Sequence, residues 1–185
     1  MSEEARSAPR VRVPIAPAHQ ISPVLIGVDP AAQTILPGDV LPDYVHRLVD
    51  DKVGKAVEAA LDGTGSWLVV VAGRSKVGKS RTLLHALGAS ARSTRLQLVA
   101  PVDVGAIRFL PGPAPDGQSS APLSVLWLDD LEPFFCQGLT LQMLRDWQAG
   151  GPGRIVAATH GGRDGGLTTG SGATGLSAIA SEVLQ

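Results

Sequence analysis

Residues Ser66–Leu87 read SWLVVVAGRSKVGKSRTLLHAL. A strand with one wet face alternates apolar and polar residues; the unbroken run Trp67–Ala72 instead predicts a strand buried on both faces, as in a parallel sheet. Gly73 ends the run, and a helix is predicted from Lys79 to about Ala91. Between them, Gly73-Arg74-Ser75-Lys76-Val77-Gly78-Lys79-Ser80 satisfies G-x-x-x-x-G-K-[ST] in full, in the strand–turn–helix setting the motif requires. Glycines let such a backbone turn tightly, so that consecutive N–H groups converge on an anion. The helix that follows adds unpaired N–H groups and the positive end of its dipole. Lys79 is the candidate for the β- and γ-phosphates, Ser80 for a Mg²⁺ ligand, and Gly73–Arg81 as a whole for the phosphate cradle.

Downstream, LSVLWLDD (123–130) predicts another buried strand, ending in two acids. Ligands of open parallel sheets sit at the carboxyl ends of strands, so Asp129 is the candidate to hold Mg²⁺. Asp130 is the candidate to orient or deprotonate an attacking water, with Glu132 as its substitute. RIVAAT (154–159) predicts a strand whose tip is AATHGG; Thr159 and His160 are alternative phosphate sensors, because both offer hydrogen-bond donors.

The remaining chain fits around this core. Residues 1–40 are proline-rich and predict an extended arm packing on the domain, with a short strand at PVLIGV (23–28). Residues 41–185 are expected to form the P-loop nucleotide-binding domain, incomplete at its C-terminus. A helix is predicted over Pro42–Leu61, where Val45, Leu48, Val49, Val53, Val57, Ala60 and Leu61 recur at helical spacing before DGTG stops it. RLQLVAPV (95–102) predicts a strand, PGPAPDGQSSAP (111–122) a surface loop, and LTLQMLRDWQAG (139–150) a helix closed by glycine. A glycine-rich loop (161–175) and an amphipathic helix over 176–184 complete the reading. Alternating strands and helices predict an α/β fold, a mainly parallel sheet covered on both faces. Trp67, Trp127 and Trp147 are expected in its core.

Composition excludes several classes. The chain has 185 residues, 44% apolar and 18% charged, with a formal charge of -1, so nucleic-acid binding is not expected. A lone cysteine, Cys136, forms no intramolecular disulfide and fits a reducing cytoplasm. No apolar run long enough to span a membrane is present, and the four histidines lack metal-ligand spacing.

With these motifs placed, the chain resembles the ATPase core of the STAND and AAA-type P-loop NTPases. It is most similar to a group of actinobacterial proteins associated with tetratricopeptide repeats. The resemblance covers about residues 38–185 and rests on LPDYVHRLVDDKV, GRSKVGKSRT, VLWLDDLEPF, GLTLQMLRDW and IVAATH in that order. It implies a three-layer αβα P-loop fold, ATP with Mg²⁺ as ligands, and a leader in which Tyr44, Val45 and Arg47 lie by adenine and ribose. Relatives often carry an arginine just after the sensor threonine, whereas here Gly161 and Gly162 follow His160 and Arg163 comes later. The fifth strand and helical lid usual in the family are not expected within this sequence, which reads as a segment of a longer protein or as a shortened relative.

The expected function is a slow Mg²⁺-dependent ATPase acting as a conformational switch. Alternatives are a non-catalytic nucleotide-binding module that scaffolds a protein partner or self-associates, and, less favoured, a small-molecule kinase. Nothing in the residues themselves distinguishes ATP from GTP; only the resemblance favours adenine.

Overall fold

The computed structural model describes residues 16–28, 43–107, 110, 123–151 and 153–161. Its strands are Ala16–Pro17 (β1), Leu68–Gly73 (β2), Leu96–Val99 (β3), Leu123–Leu128 (β4) and Arg154–Gly161 (β5), in the spatial order β1-β3-β4-β5-β2. The last four are mutually parallel, and the two-residue β1 runs antiparallel along the edge of β3. The helices are Leu48–Asp62 (α1), Lys79–Ala89 (α2), Val104–Ile107 (α3), Leu131–Cys136 (α4) and Leu141–Ala149 (α5).

Two apolar clusters lie on opposite faces of the sheet. One joins Val53, Val57 and Leu61 of α1 and Leu83 and Leu87 of α2 to Leu98, Val125, Trp127 and Ile155. The other joins Val104 and Ile107 of α3, Leu131 and Phe134 of α4 and Leu144 and Trp147 of α5 to Leu68, Leu126, Leu128 and Val156. Adjacent strand residues such as Val125 and Leu126 point to opposite faces, and both are fully buried. The continuous apolar runs follow from this arrangement. Each such side chain, once buried, contributes about 1.5–3 kcal/mol before the entropy of ordering is set against it.

Register fixes the functional edge. Gly73 of β2 pairs with Gly161, Val71 with Thr159, and Leu128 of β4 with Ala158. The loop after β2, the acids after β4 and the tip of β5 therefore open on one edge of the sheet, with β5 between the other two.

Several expectations need correction. The helix expected from Pro42 begins at Leu48, because Arg47 is extended (φ -128°, ψ 157°) and its N–H donates to the buried Asp50 carboxylate at 2.6 Å. That bond satisfies one amide at the chain's turn into the helix and sets the start there. Gly63, left-handed at φ 72°, closes α1 where DGTG was expected to. PVLIGV forms a 3-10 helix over Pro23–Ile26, not a strand; the Val28 amide bonds back to the Pro23 carbonyl at 3.0 Å, and the Ile26 carbonyl accepts the Trp127 indole N–H at 2.9 Å. Within the described part of the arm, residues 16–28, Ala18, Ile21, Ile26 and Val28 are buried in the first cluster.

β2 is buried on both faces only at Leu68 and Val69; its later residues are half-open, with β5 as its one neighbour among the described residues. β4 stops at Leu128, so both acids lie beyond the strand. Short helices α3 and α4 were not expected, and α2 ends at Ala89 instead of Ala91. Trp127 and Trp147 are buried; Trp67 packs only partly against the second cluster. β5 runs on to Gly161, two residues past the expected end of the strand and into the first residue of the loop expected over 161–175. The expectations for 111–122, for the rest of that loop and for 176–184 lie outside the described residues.

Candidate functional site

The Gly73–Ser80 loop turns through two left-handed residues, Lys76 (φ 62°) and Gly78 (φ 85°). Gly78 tolerates this because it has no Cβ, and a Cβ there would stand 3.4 Å from the Arg47 guanidinium. α2 begins immediately afterwards with no side-chain cap and no acid in its first turn. Lys79 Nζ donates to the Arg74 carbonyl at 2.9 Å, folding its ammonium back over the loop.

Arg47 braces the loop from the leader. Its guanidinium donates to the Val77 carbonyl at 2.7 Å, reaches the Gly78 carbonyl at 3.5 Å and also bonds the Thr82 hydroxyl. Beneath it, Asp50 is buried; burial raises its carboxyl pKa, but the Tyr44 hydroxyl, the Arg47 amide and the charges of Arg47 and His46 together hold it below the usual value.

The acids gather at the carboxyl ends of β4 and β5. Ser80 Oγ donates to Asp129 Oδ1 at 2.6 Å, and Thr159 Oγ1 donates to the same oxygen at 3.0 Å. The Thr159 hydroxyl also accepts the Asp130 amide at 2.9 Å, so this 2%-exposed side chain is engaged as both donor and acceptor. Of the two alternative sensors, Thr159 is thus a brace between β5 and the acids, and only His160 is left partly open. Asp130 is exposed and sits at φ 62°, ψ 98°, an unusual conformation for a residue with a side chain.

Beside it, Glu132 Oε1 accepts the Gly161 amide at 2.8 Å and lies 2.6 Å from His160 Nδ1. The second contact is not a hydrogen bond: among the described residues His160 Nδ1, like Glu132 Oε2, is buried without a hydrogen-bonding partner. Burial and the adjoining Asp130 carboxylate push the Glu132 carboxyl up to about 7, against the pull of its own amide and that of Gly161. Burial lowers the His160 pKa, and the charge of Lys79 lowers it further, with Asp130 opposing. His160 therefore lies within electrostatic reach of both the loop lysine and the acids.

Tyr44 stacks on His85 of α2 (centroids 3.9 Å apart, planes at 16°) and its hydroxyl donates to Thr82 Oγ1 at 3.2 Å. The Arg81 guanidinium lies 5.4 Å from the same ring. Val45 instead faces solvent, 76% exposed, as do Leu48 and, in part, Val49 and Val77. Among the residues singled out from sequence, Ser80, Asp129, Asp130 and Thr159 form one bonded cluster. Lys79 adjoins it, Tyr44 is tied to α2, and Val45 joins none of these contacts. The Arg47 brace and the Glu132–His160–Gly161 cluster were not read as such; the signals were an arginine in the leader and an acid three residues after Asp129.

No protein-family model, curated protein or solved structure matches the chain. A groove of about 610 Å³ between α1 and α2 is lined by His46, Asp51, Lys55, Glu58 and His85 among others. It contains none of the loop or acid residues, and its mixed charges describe a solvated surface. Among the described residues, no helix is long and apolar enough to cross a membrane.

Proposed function

We propose that this chain binds a nucleoside triphosphate, ATP with Mg²⁺, on the Gly73–Arg81 loop and hydrolyses it slowly as a conformational switch within a three-layer P-loop fold. The observation that carries the reading is the meeting of Ser80 and Asp129 at 2.6 Å, which joins the first turn of the helix after the glycine loop to the acid after β4. A hydroxyl and a carboxylate converging beside an uncapped helix start are the hard oxygen donors that Mg²⁺ prefers. Bound there, the ion would neutralise charge on the β- and γ-phosphates.

In this reading the chain's own groups do the following. The loop and the α2 amides receive the phosphates, and Lys79 exchanges the Arg74 carbonyl for a phosphate oxygen. Thr159 holds Asp129 and the Asp130 backbone in register. Asp130, exposed beside the cluster, orients the attacking water. Arg47 ties the leader to the loop, so a change in loop shape on binding or release is felt by α1.

The exposed Val45, Leu48, Val49 and Val77 favour a second reading, a nucleotide-dependent docking module with no useful turnover. Phosphate release from ATP with Mg²⁺, measured for the wild type and Lys79→Ala, separates the two. A switch releases phosphate above background and loses it with Lys79→Ala. A docking module binds ATP and leaves it intact. Equal ATP affinity in wild type and Lys79→Ala would reject both.

A further inference from the structure

We propose that Glu132, held at the tip of β5 by the Gly161 amide and lying beside His160, is the group that takes the proton from the attacking water, with Asp130 only orienting that water. This assignment rests on the ATPase reading and deepens it.

The geometry separates the two acids. The Asp130 amide is bonded to Thr159, which fixes its place beside the cluster, so its contribution is one of alignment. Glu132 Oε1 takes the Gly161 amide at 2.8 Å, while Oε2 is buried and, among the described residues, receives no hydrogen bond. An acceptor withdrawn from solvent and unbonded by protein costs stability unless something else occupies it. A water delivered to a bound γ-phosphate is such an occupant, because β5 brings Glu132 beside His160, which feels the charge of Lys79.

The charged groups facing Glu132 are Asp130 from the β4–α4 turn and His160 from β5, with Lys79 of α2 facing His160. A carboxyl raised to about 7 is a far better base at neutral pH than an ordinary one, and still half unprotonated. In the step itself, the water oxygen bonds the γ-phosphorus and one of its protons passes to Glu132 Oε2. The bond to the β–γ bridging oxygen breaks, and its electron pair leaves with ADP.

The test is phosphate release and ATP affinity for the full chain, measured from about pH 5.5 to 8.5 for wild type, Glu132→Gln, Asp130→Asn and Gly161→Ala. Wild-type kcat should rise through about pH 7. Glu132→Gln should bind ATP as wild type does, lose on the order of 100-fold or more in kcat, and show no rise. Gly161→Ala places a Cβ 3.1 Å from Glu132 Oε1 and should lower kcat without weakening ATP binding. Asp130→Asn should turn over more slowly and keep a rise displaced to lower pH, because the Asp130 charge no longer raises Glu132. Wild-type turnover with Glu132→Gln unimpaired, or the rise lost in Asp130→Asn and kept in Glu132→Gln, overturns this assignment alone. No phosphate release by the wild type removes the hydrolysis reading and this assignment with it.

Discussion

Ser80 and Asp129 are 49 positions apart in the chain and 2.6 Å apart in the fold. Neither residue alone says much, since serines open many helices and acids follow many strands. Their contact, shared with Thr159 from the strand between, turns three separate sequence signals into one local chemistry.

Lys79→Ala should weaken ATP binding by on the order of 100-fold, the loss of about 3 kcal/mol of charge-assisted contact. Its folded-state partner is a backbone carbonyl on the loop, so the melting temperature should barely change. Calorimetric titration with ATP, alongside thermal melts, checks both halves.

Asp129→Asn should abolish the dependence of ATP affinity on Mg²⁺ while sparing metal-free binding. An amide still accepts from Ser80 and Thr159 but offers no charge to a cation. Affinities measured with Mg²⁺ and with a chelator would show it; a retained Mg²⁺ effect would exclude Asp129 as the anchoring acid.

Stability should carry opposite pH signatures from the two groups at the tip of β5. Glu132, ordinarily 4.5 and raised to about 7 by burial and by Asp130, binds its proton more tightly in the folded chain. Its contribution is full below about 4.5 and is lost as pH rises through about 7. His160 is lowered from 6.5 by burial, so its contribution is full above 6.5 and is lost as pH falls through its depressed value. Glu132→Gln removes the first effect only. Its melting temperature relative to wild type should therefore climb between about pH 5 and 7.5; a constant offset would contradict the raised carboxyl.

Asp50→Ala should cost about 1–2 kcal/mol by freeing the Arg47 amide, lowering the melting temperature by several degrees. Because the Asp50 carboxyl is held below 3.8, its contribution persists down to that pH and fades only in stronger acid. The start of α1 should fray in the variant, visible as faster amide exchange over the first turn.

How much of this was legible depended on the kind of force at work. β4, α2 and β5 could be read because continuous apolar runs and bounding glycines are local signals of burial on two faces. The start of α1 could not, since Val45, Leu48 and Val49 keep helical spacing while facing solvent. What sets that boundary is one carboxylate, Asp50, bonding the Arg47 amide. The segment at 23–28 looked like a strand by composition; its form answers to the indole of Trp127, 101 positions away. α4, six residues with a proline in its first turn, is too short for periodicity to register.

Within the site, the glycine loop, Ser80 and Asp129 were readable because the motif is a statement about backbone geometry. Thr159 and His160 stayed equivalent on paper. Only the packing of β5 against the acids assigns one hydroxyl to bracing and leaves the imidazole against Glu132.

The bond from the Trp127 indole to the Ile26 carbonyl has a practical corollary for anyone trimming this protein. The indole stands two positions before Asp129 and would lose its acceptor in a chain shortened to begin at Tyr44. What looks like a dispensable preface is the wall against which the acid-bearing strand is seated, and cutting it away would loosen the strand that ends at Asp129.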